Sequence, residues 1–380
     1  MTAARYADVM KMAVASQVYL SYTRVSSRPK KEAKFMLYIG IDVHKKNLQV
    51  CVIDGVGNRM RDCRLENRPH SVSSYFEKIE RPAGVALEAT HNWGMLYDLL
   101  SDQGFDVHIC HSKEAKMIGL ASVKNDKVDA FKLATLLRVG LLPEAYVPDV
   151  ESRELRSLVR GRASLIGQST AIKNQIHAIL RATWIDSPWS DTFGKSGRKF
   201  LANLDIGESY KLVIASKLSI LDKIWEQVSV LNDEIVHRAH LDARAMLIMT
   251  APGFAEFRAV MLLSEIVDIN RFARAENLVS YAGLNPREHS SGEKTRRGKI
   301  SKEGSSWLRW IMVESAQHAI KEEGKIRDLY LRVSEKRGHN RGMVAAAREM
   351  LVSIFWMLKR MEPYRASGKK LDITLASEVG

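Results

Sequence analysis

The 380-residue chain has only three cysteines, Cys51, Cys63 and Cys110. They form no CxxC pair and have no His-rich segment beside them, which argues against a zinc site or a disulfide framework. No apolar run reaches the ~18 to 20 residues that crossing a bilayer requires. The opening "MTAARYADVMKMAVASQVYL" is too broken by polar and charged residues for a signal peptide. Together these point to a cytosolic protein with no membrane partner. Negative charge is also scarce. Against 58 Lys and Arg stand 44 Asp and Glu, for a formal net charge of +14. Such a surplus suits a polyanionic partner, because neutralising phosphates releases counterions. It suits a merely soluble basic protein equally well.

Length allows two or three domains. Residues 1–35 carry "SSRPKK" and no clear periodicity, and read as a loosely ordered basic arm. Met36 stands directly before the first strand and is an alternative start of the native protein. From Leu37 the pattern changes: "LYIGIDV" and "LQVCVID" are apolar, β-branched runs separated by a short polar turn, which predicts two paired strands. "GVGN" (Gly55–Asn58) turns the chain into a third, more polar strand, "RMRDCRLEN". "SVSSYFEKI" reads as a helix, "AGVALEA" as a buried strand, "NWGMLYDLLSDQG" as a helix ended by Gly104, and "FDVHIC" as another strand. "KVDAFKLATLLRVG" predicts an amphipathic helix ending at Gly140. The order β-β-β-α-β-α-β-α implies an α/β unit, a mixed sheet with helices packed on it, over 36–150. Residues 151–245 carry apolar residues at three- and four-residue spacing. They predict long helices in an antiparallel, coiled-coil-like pair, broken by a Trp- and Ser-containing connection near 184–198 and suited to oligomerisation. A mostly α-helical unit over 246–365 with a basic loop follows, then a tail, 366–380.

Within the first strand stands a carboxylate, Asp42, and Glu88 falls near the end of "GVALE". Both occupy positions where the pattern predicts burial, so each must be paired, solvated in a cleft or bound to a metal. A strand end facing water is the plainer alternative. "NDKVDAFKLA" adds Asp126 and Asp129, three apart at a helix start, where acidic residues also serve simply as favourable charges. As a set, four hard oxygen donors at one sheet edge suit two Mg²⁺ (or Mn²⁺) ions. Two such ions can activate an attacking oxygen and stabilise a leaving oxygen in phosphodiester cleavage. His44, Lys45 and Lys46 fill the turn beside Asp42.

The stretches "IGIDVHKK", "LEAT" and "NDKVDAFKLA" resemble the RuvC-like, RNase H-fold domain of the DEDD transposases of insertion sequences, a group that includes the pilin-gene invertase and the RNA-guided bridge recombinases. A second block, running from "LIMTAPGF" through "RF", "YAGLNP", "SG" and "ISKEG" to "LR", resembles the group's C-terminal transposase domain. The resemblance implies a DNA transposase or recombinase whose metal ligands are Asp42, Glu88, Asp126 and Asp129. It further implies a serine that becomes covalently joined to DNA. Aligning the "SG" element assigns that role to Ser291, with Ser290 the near alternative. Ser301 in "ISK" is a third candidate that reads better as a helix N-cap. Double-stranded DNA, as element ends and target, is the implied partner, and for part of the group a structured guide RNA. A serine some 160 residues from the DxxD pair shares a site with it only if the domains, or two subunits, come together; a homo-oligomer, dimer or tetramer, is the expected assembly.

Two readings of the C-terminal block come from the residues alone. "REHSSGEKTRRGKISK" (Arg287–Lys302) reads as a cation-rich loop between helices, in which Lys294, Arg296, Arg297, Lys299 and Lys302 flank the serines and suit a phosphate backbone. "TAPGF" before a helix resembles a helix-hairpin-helix turn, whose backbone amides can hold a phosphate. Ala255 stands where the group more often has a second glycine, and a tight turn between packed helices explains the stretch equally well. Two alternatives remain for the whole: a junction-resolving nuclease using water on the same carboxylates, and a nucleic-acid-binding protein whose carboxylates are structural.

Overall fold

In the computed structural model, residues 37–90, 92–111, 126–291 and 294–365 are described, without the side chains of 126 and 288–297. The basic arm and the tail lie outside these residues. The described chain divides after Pro148 into two compact units.

The first unit is built on a five-stranded mixed sheet. Its strands are β1 (Leu37–Val43), β2 (Asn47–Ile53), β3 (Arg59–Glu66), β4 (Ala83–Glu88) and β5 (Asp106–Cys110), in the order β3-β2-β1-β4-β5. β1, β2 and β3 form an antiparallel meander, whereas β4 and β5 run parallel to β1. The turn between β2 and β3 is an Asx turn. The Asp54 carboxylate accepts the amide protons of Val56, Gly57 and Asn58, which holds its pKa below the ordinary value, and Gly57 takes the positive φ (106°) that closes the loop.

Alternation along the strands sends Ile39, Ile41, Val50, Val85 and Leu87 to one face. There they pack with Val72 and Phe76 of α1 (Pro69–Phe76) and Leu96 and Leu100 of α2 (Trp93–Asp102). The opposite face carries the smaller residues Gly40, Cys51 and Ala86. These meet α3 (Asp126–Arg138) through Ala130, Leu133 and Ala134. The approach is so close that a Cβ on Gly40 would overlap the backbone carbonyl of Ala130.

The second unit begins at Asp149, whose side chain caps α4 (Val150–Ala182) by accepting from Ser152 N at 2.7 Å. A short helix, α5 (Lys195–Ala202), connects it to α6 (Glu208–Leu241). The contacts Arg162–Asn232 and Gln175–Lys217 run in opposite senses along the two long helices, so α4 and α6 form an antiparallel hairpin. Ile176, Leu180, Leu201, Leu204 and Ile214 make a separate small core at its tip. At its base Val159, Ile235 and Ala239 join the core of the remaining helices: α7 (Ala243–Ile248), α8 (Glu256–Ile266), α9 (Ala275–Tyr281), α10 (Ser306–Ala319), α11 (Lys325–Arg337) and α12 (His339–Arg360). Glu265 of α8, 1% exposed, ties the hairpin to this core. It receives Arg160 Nη2 at 2.6 Å and Ser305 Oγ at 2.8 Å.

The cation-rich stretch expected as a loop is instead a two-stranded antiparallel ribbon, β6 (Pro286–Ser291) with β7 (Lys294–Ile300). The N-cap expected at Ser301 is at Ser305, whose Oγ accepts from Leu308 N at 3.0 Å. No helix among the described residues is long and apolar enough to cross a membrane.

Candidate active site

Asp42 lies two residues beyond Gly40 and so, by alternation, on the face that α3 covers. Its side chain is 15% exposed, and Oδ2 is 3.1 Å from His44 Nε2. In the parallel pairing of β1 with β4, Ile41 stands opposite Leu87, and Asp42 and Glu88 each follow by one residue. Both therefore lie at the C-terminal ends of neighbouring parallel strands, Asp42 one residue before the end of β1 and Glu88 at the end of β4, and so at the same end of the sheet. Ala130, one turn into α3, sits over Gly40, which brings the start of that helix toward the same edge.

Of the DxxD pair, Asp129 is half-exposed and Oδ1 lies 3.3 Å from Lys132 Nζ. Asp126 is the first residue of α3, and its side chain lies outside the described ones. Hard carboxylate oxygens are the right donors for Mg²⁺ or Mn²⁺. Among the described residues no three His, Cys, Asp or Glu side chains gather around one point. The donor set thus fits the ion in kind and in its shared edge, while Asp42 and Asp129 are engaged with His44 and Lys132.

One neighbour escaped the sequence reading. Gln49 on β2 stands directly opposite Asp42, and Arg64 on β3 directly opposite Gln49, so Arg64, Gln49 and Asp42 form a row across three strands. Gln49 is 6% exposed and its Nε2 is buried with no hydrogen-bond partner among the described residues. A buried amide N–H left unpaired is costly, and a carboxylate across the strand pair is the group it can serve. The signal was present in "NLQVCVI", whose one interior polar side chain shares a face with Cys51. Cys51 itself is no nucleophile: burial, then the Asp62 carboxylate, push its pKa up to about 12.

The serine candidates belong to the second unit. In the ribbon register Ser291 pairs with Lys294, Ser290 with Thr295 and His289 with Arg296. The side chains of Ser290, Ser291, Lys294, Arg296 and Arg297 lie outside the described ones; Lys299 and Lys302 are exposed. Ser301 is set aside as a nucleophile, because it is 8% exposed and its Oγ donates to Asn285 Oδ1 at 3.0 Å. The "TAPGF" turn has a packing role. Gly253 adopts φ 78° with its α-carbon against Ser315, and Glu256 puts an acidic residue in the first turn of α8, where a phosphate would otherwise sit.

Comparison with known proteins matches two parts of the chain to transposases. Residues 39–185 match a family described as transposase, the DEDD type of IS110, and residues 245–331 match the transposase IS116/IS110/IS902 family. The chain is 23% identical to the transposase for insertion sequence element IS1111A of Coxiella burnetii, over 90% of this chain and 94% of that protein. It is 24% identical to a probable family 20 transposase of Pseudomonas aeruginosa, over 74% and 84% of the two chains. With the pilin gene-inverting protein of Moraxella bovis it shares 26% identity, over 67% of this chain and 74% of that one.

Proposed function

Since the chain belongs to the IS110/IS116 family of transposases, enzymes that cut and rejoin DNA, we propose that it does so with Asp42, Glu88, Asp126 and Asp129 as ligands of Mg²⁺ or Mn²⁺ and Ser291 as the nucleophile. The observation that carries this reading is the shared edge of Asp42 and Glu88 on neighbouring parallel strands, with the DxxD helix crossing the same face. The sheet order, an antiparallel meander continued by parallel strands, supports an RNase H-like, RuvC-like assignment for 36–150. Residues 151–245 then act as an arm and 246–365 as the transposase domain.

When bound, a pair of divalent ions supplies charge stabilisation to both the attacking and the leaving oxygen of the scissile phosphate. The protein supplies the rest. Rigid strands hold Asp42 and Glu88, and α3 presents the DxxD pair. The Ser291 Oγ forms a bond to phosphorus as the bond to the DNA 3′ oxygen breaks, leaving a phosphoserine ester and a 3′ hydroxyl. Attack by a 3′ hydroxyl of another end reverses the step and frees the serine, so no ATP is consumed. Lys294, paired with Ser291 in the ribbon, with Arg296, Arg297, Lys299 and Lys302, neutralises the phosphate as charge builds. Carboxylates and serine belong to different units, and either the two domains of one chain or two subunits of a homo-oligomer must unite them. Leu212, Ile220 and Val230, each more than half exposed on α6, support an oligomer contact along the hairpin. A structured guide RNA, implied for part of the resembled group, is carried by that resemblance alone.

Incubation of purified protein with labelled element-end DNA and Mg²⁺, followed by denaturing electrophoresis, tests the reading. The expected product is DNA covalently attached to protein. It disappears in Ser291→Ala and in Asp42→Asn, and persists in Ser290→Ala. A Ser291→Ala protein that still cuts, with no adduct in the wild type, would establish the water-using nuclease instead.

A further inference from the structure

Arg160, Arg162 and Arg258 are all half-buried near the base of the hairpin, but they are satisfied differently. Arg160 is neutralised by Glu265. Arg162 donates from Nε to Asn232 Oδ1 at 3.0 Å and lays its guanidinium 4.1 Å from the centre of the Phe257 ring. Arg258 donates from Nη1 to Gly253 O at 2.7 Å, and its Nη2 is 3.0 Å from His318 Nε2. Among the described residues neither Arg162 nor Arg258 has a carboxylate partner. Glu256, the nearest acidic residue in sequence, faces His240 at 3.8 Å. Burial and then the charge of Arg258 push the Arg162 pKa downward, the mark of two cations drawn together without an anion.

An aromatic ledge continues from this pair. Phe257 meets Trp310 edge-on, with ring centres 6.4 Å apart, and Trp310 meets Trp307 at 5.8 Å. Trp310 keeps 38% of its surface exposed. A core would have covered this indole, which is instead held between edge-on contacts with Phe257 and Trp307. Cations suit a phosphate, and a fixed, exposed indole suits the face of a base that has left its duplex stack. A purely apolar partner would leave both arginines uncompensated, whereas a duplex keeps its bases stacked away from the indole.

We propose that the surface formed by Arg162, Arg258, Phe257 and Trp310 is a binding site for an unpaired DNA nucleotide, with the arginines on its phosphate and Trp310 on its base. The site goes beyond the function above, since neither the carboxylates nor Ser291 takes part. In a strand-exchange reaction it would hold an end while it is unpaired.

The test is fluorescence anisotropy of labelled oligothymidylate and of a duplex of equal length, titrated with the full chain in EDTA so that catalysis is absent. Trp310→Ala should weaken oligothymidylate binding by about tenfold and leave duplex binding unchanged. Trp310→Phe should restore most of the loss. Arg162→Gln with Arg258→Gln, which together contact one phosphate, should reduce the slope of log K against log salt by about 0.7 for the single strand. Equal losses for duplex and single strand, or no loss, would overturn the site. So would preferential binding of oligouridylate, which would assign it to RNA. A fall in particle mass in Trp310→Ala would also overturn it, making the ledge a subunit contact. Because divalent ions are absent, failure here leaves the carboxylate and serine assignments standing.

Discussion

Gln49 stands directly opposite Asp42 in the β1–β2 register, with its amide nitrogen buried and unpaired among the described residues. A donor held there can fix the orientation of the carboxylate that would ligate a metal. Gln49→Leu keeps the volume and removes the orphaned group, so the fold should be as stable or more so. Mn²⁺ affinity, measured by calorimetry, should fall about 10- to 100-fold. Unchanged affinity would make Gln49 a bystander.

Gly40 is a point of contact between sheet and helix. In Gly40→Ala the new methyl must displace α3 at Ala130, with an overpacking cost of about 1–3 kcal/mol. Because α3 begins with the DxxD pair, DNA cleavage should drop further than the melting temperature alone explains. Cleavage that tracks the folded fraction would refute the link between the two.

His108 gives the sheet unit a pH dependence. The Asp106 carboxylate, 3.5 Å from Nε2, raises its pKa, and Glu144, 2.9 Å from Nδ1, adds to this. Stabilisation from a raised histidine is fully present below its ordinary value of 6.5 and is lost as pH rises through the folded-state value. Thermal melts of the wild type between pH 5.5 and 8.5 should therefore gain less stability with rising pH than those of His108→Gln. Parallel curves would exclude the effect.

Removing Glu265 strands Arg160 and Ser305 at the meeting of α4, α8 and α10. Glu265→Ala should cost about 3 kcal/mol, seen as a shift in the urea midpoint. Glu265→Gln, which keeps one acceptor, should lose less. Equal losses for the two would show that shape, not charge, matters there.

Much of the sheet was legible because each strand's alternation is set by nearby residues: "LYIGIDV" and "NLQVCVI" pair through a three-residue turn, and Gly104 and Gly140 follow their helices at positive φ. What eluded the sequence depended on distant partners. "REHSSGEKTRRGKI" has a strand-turn-strand signal in its Ser-Gly dipeptide, yet five cations made it read as solvated loop, and only the pairing of His289 with Arg296 and Ser291 with Lys294 organises it. Ser301 and Ser305 both precede "WLRW", and the choice of cap was made by Asn285 and Glu265, far off in sequence. Asp42 was conspicuous as a charge in an apolar run. Gln49 was not, because its meaning comes from standing across from Asp42.

The α4–α6 hairpin also acts as a ruler. At 33 and 34 residues its helices extend about 50 Å, the length of roughly fifteen base pairs of B-form DNA. Because the tip has its own small core, apart from the core at the base, the rod is braced at both ends. Whatever grips the tip is thus kept a fixed span from the base, and lengthening both helices by whole turns would lengthen that span by about 5.4 Å per turn.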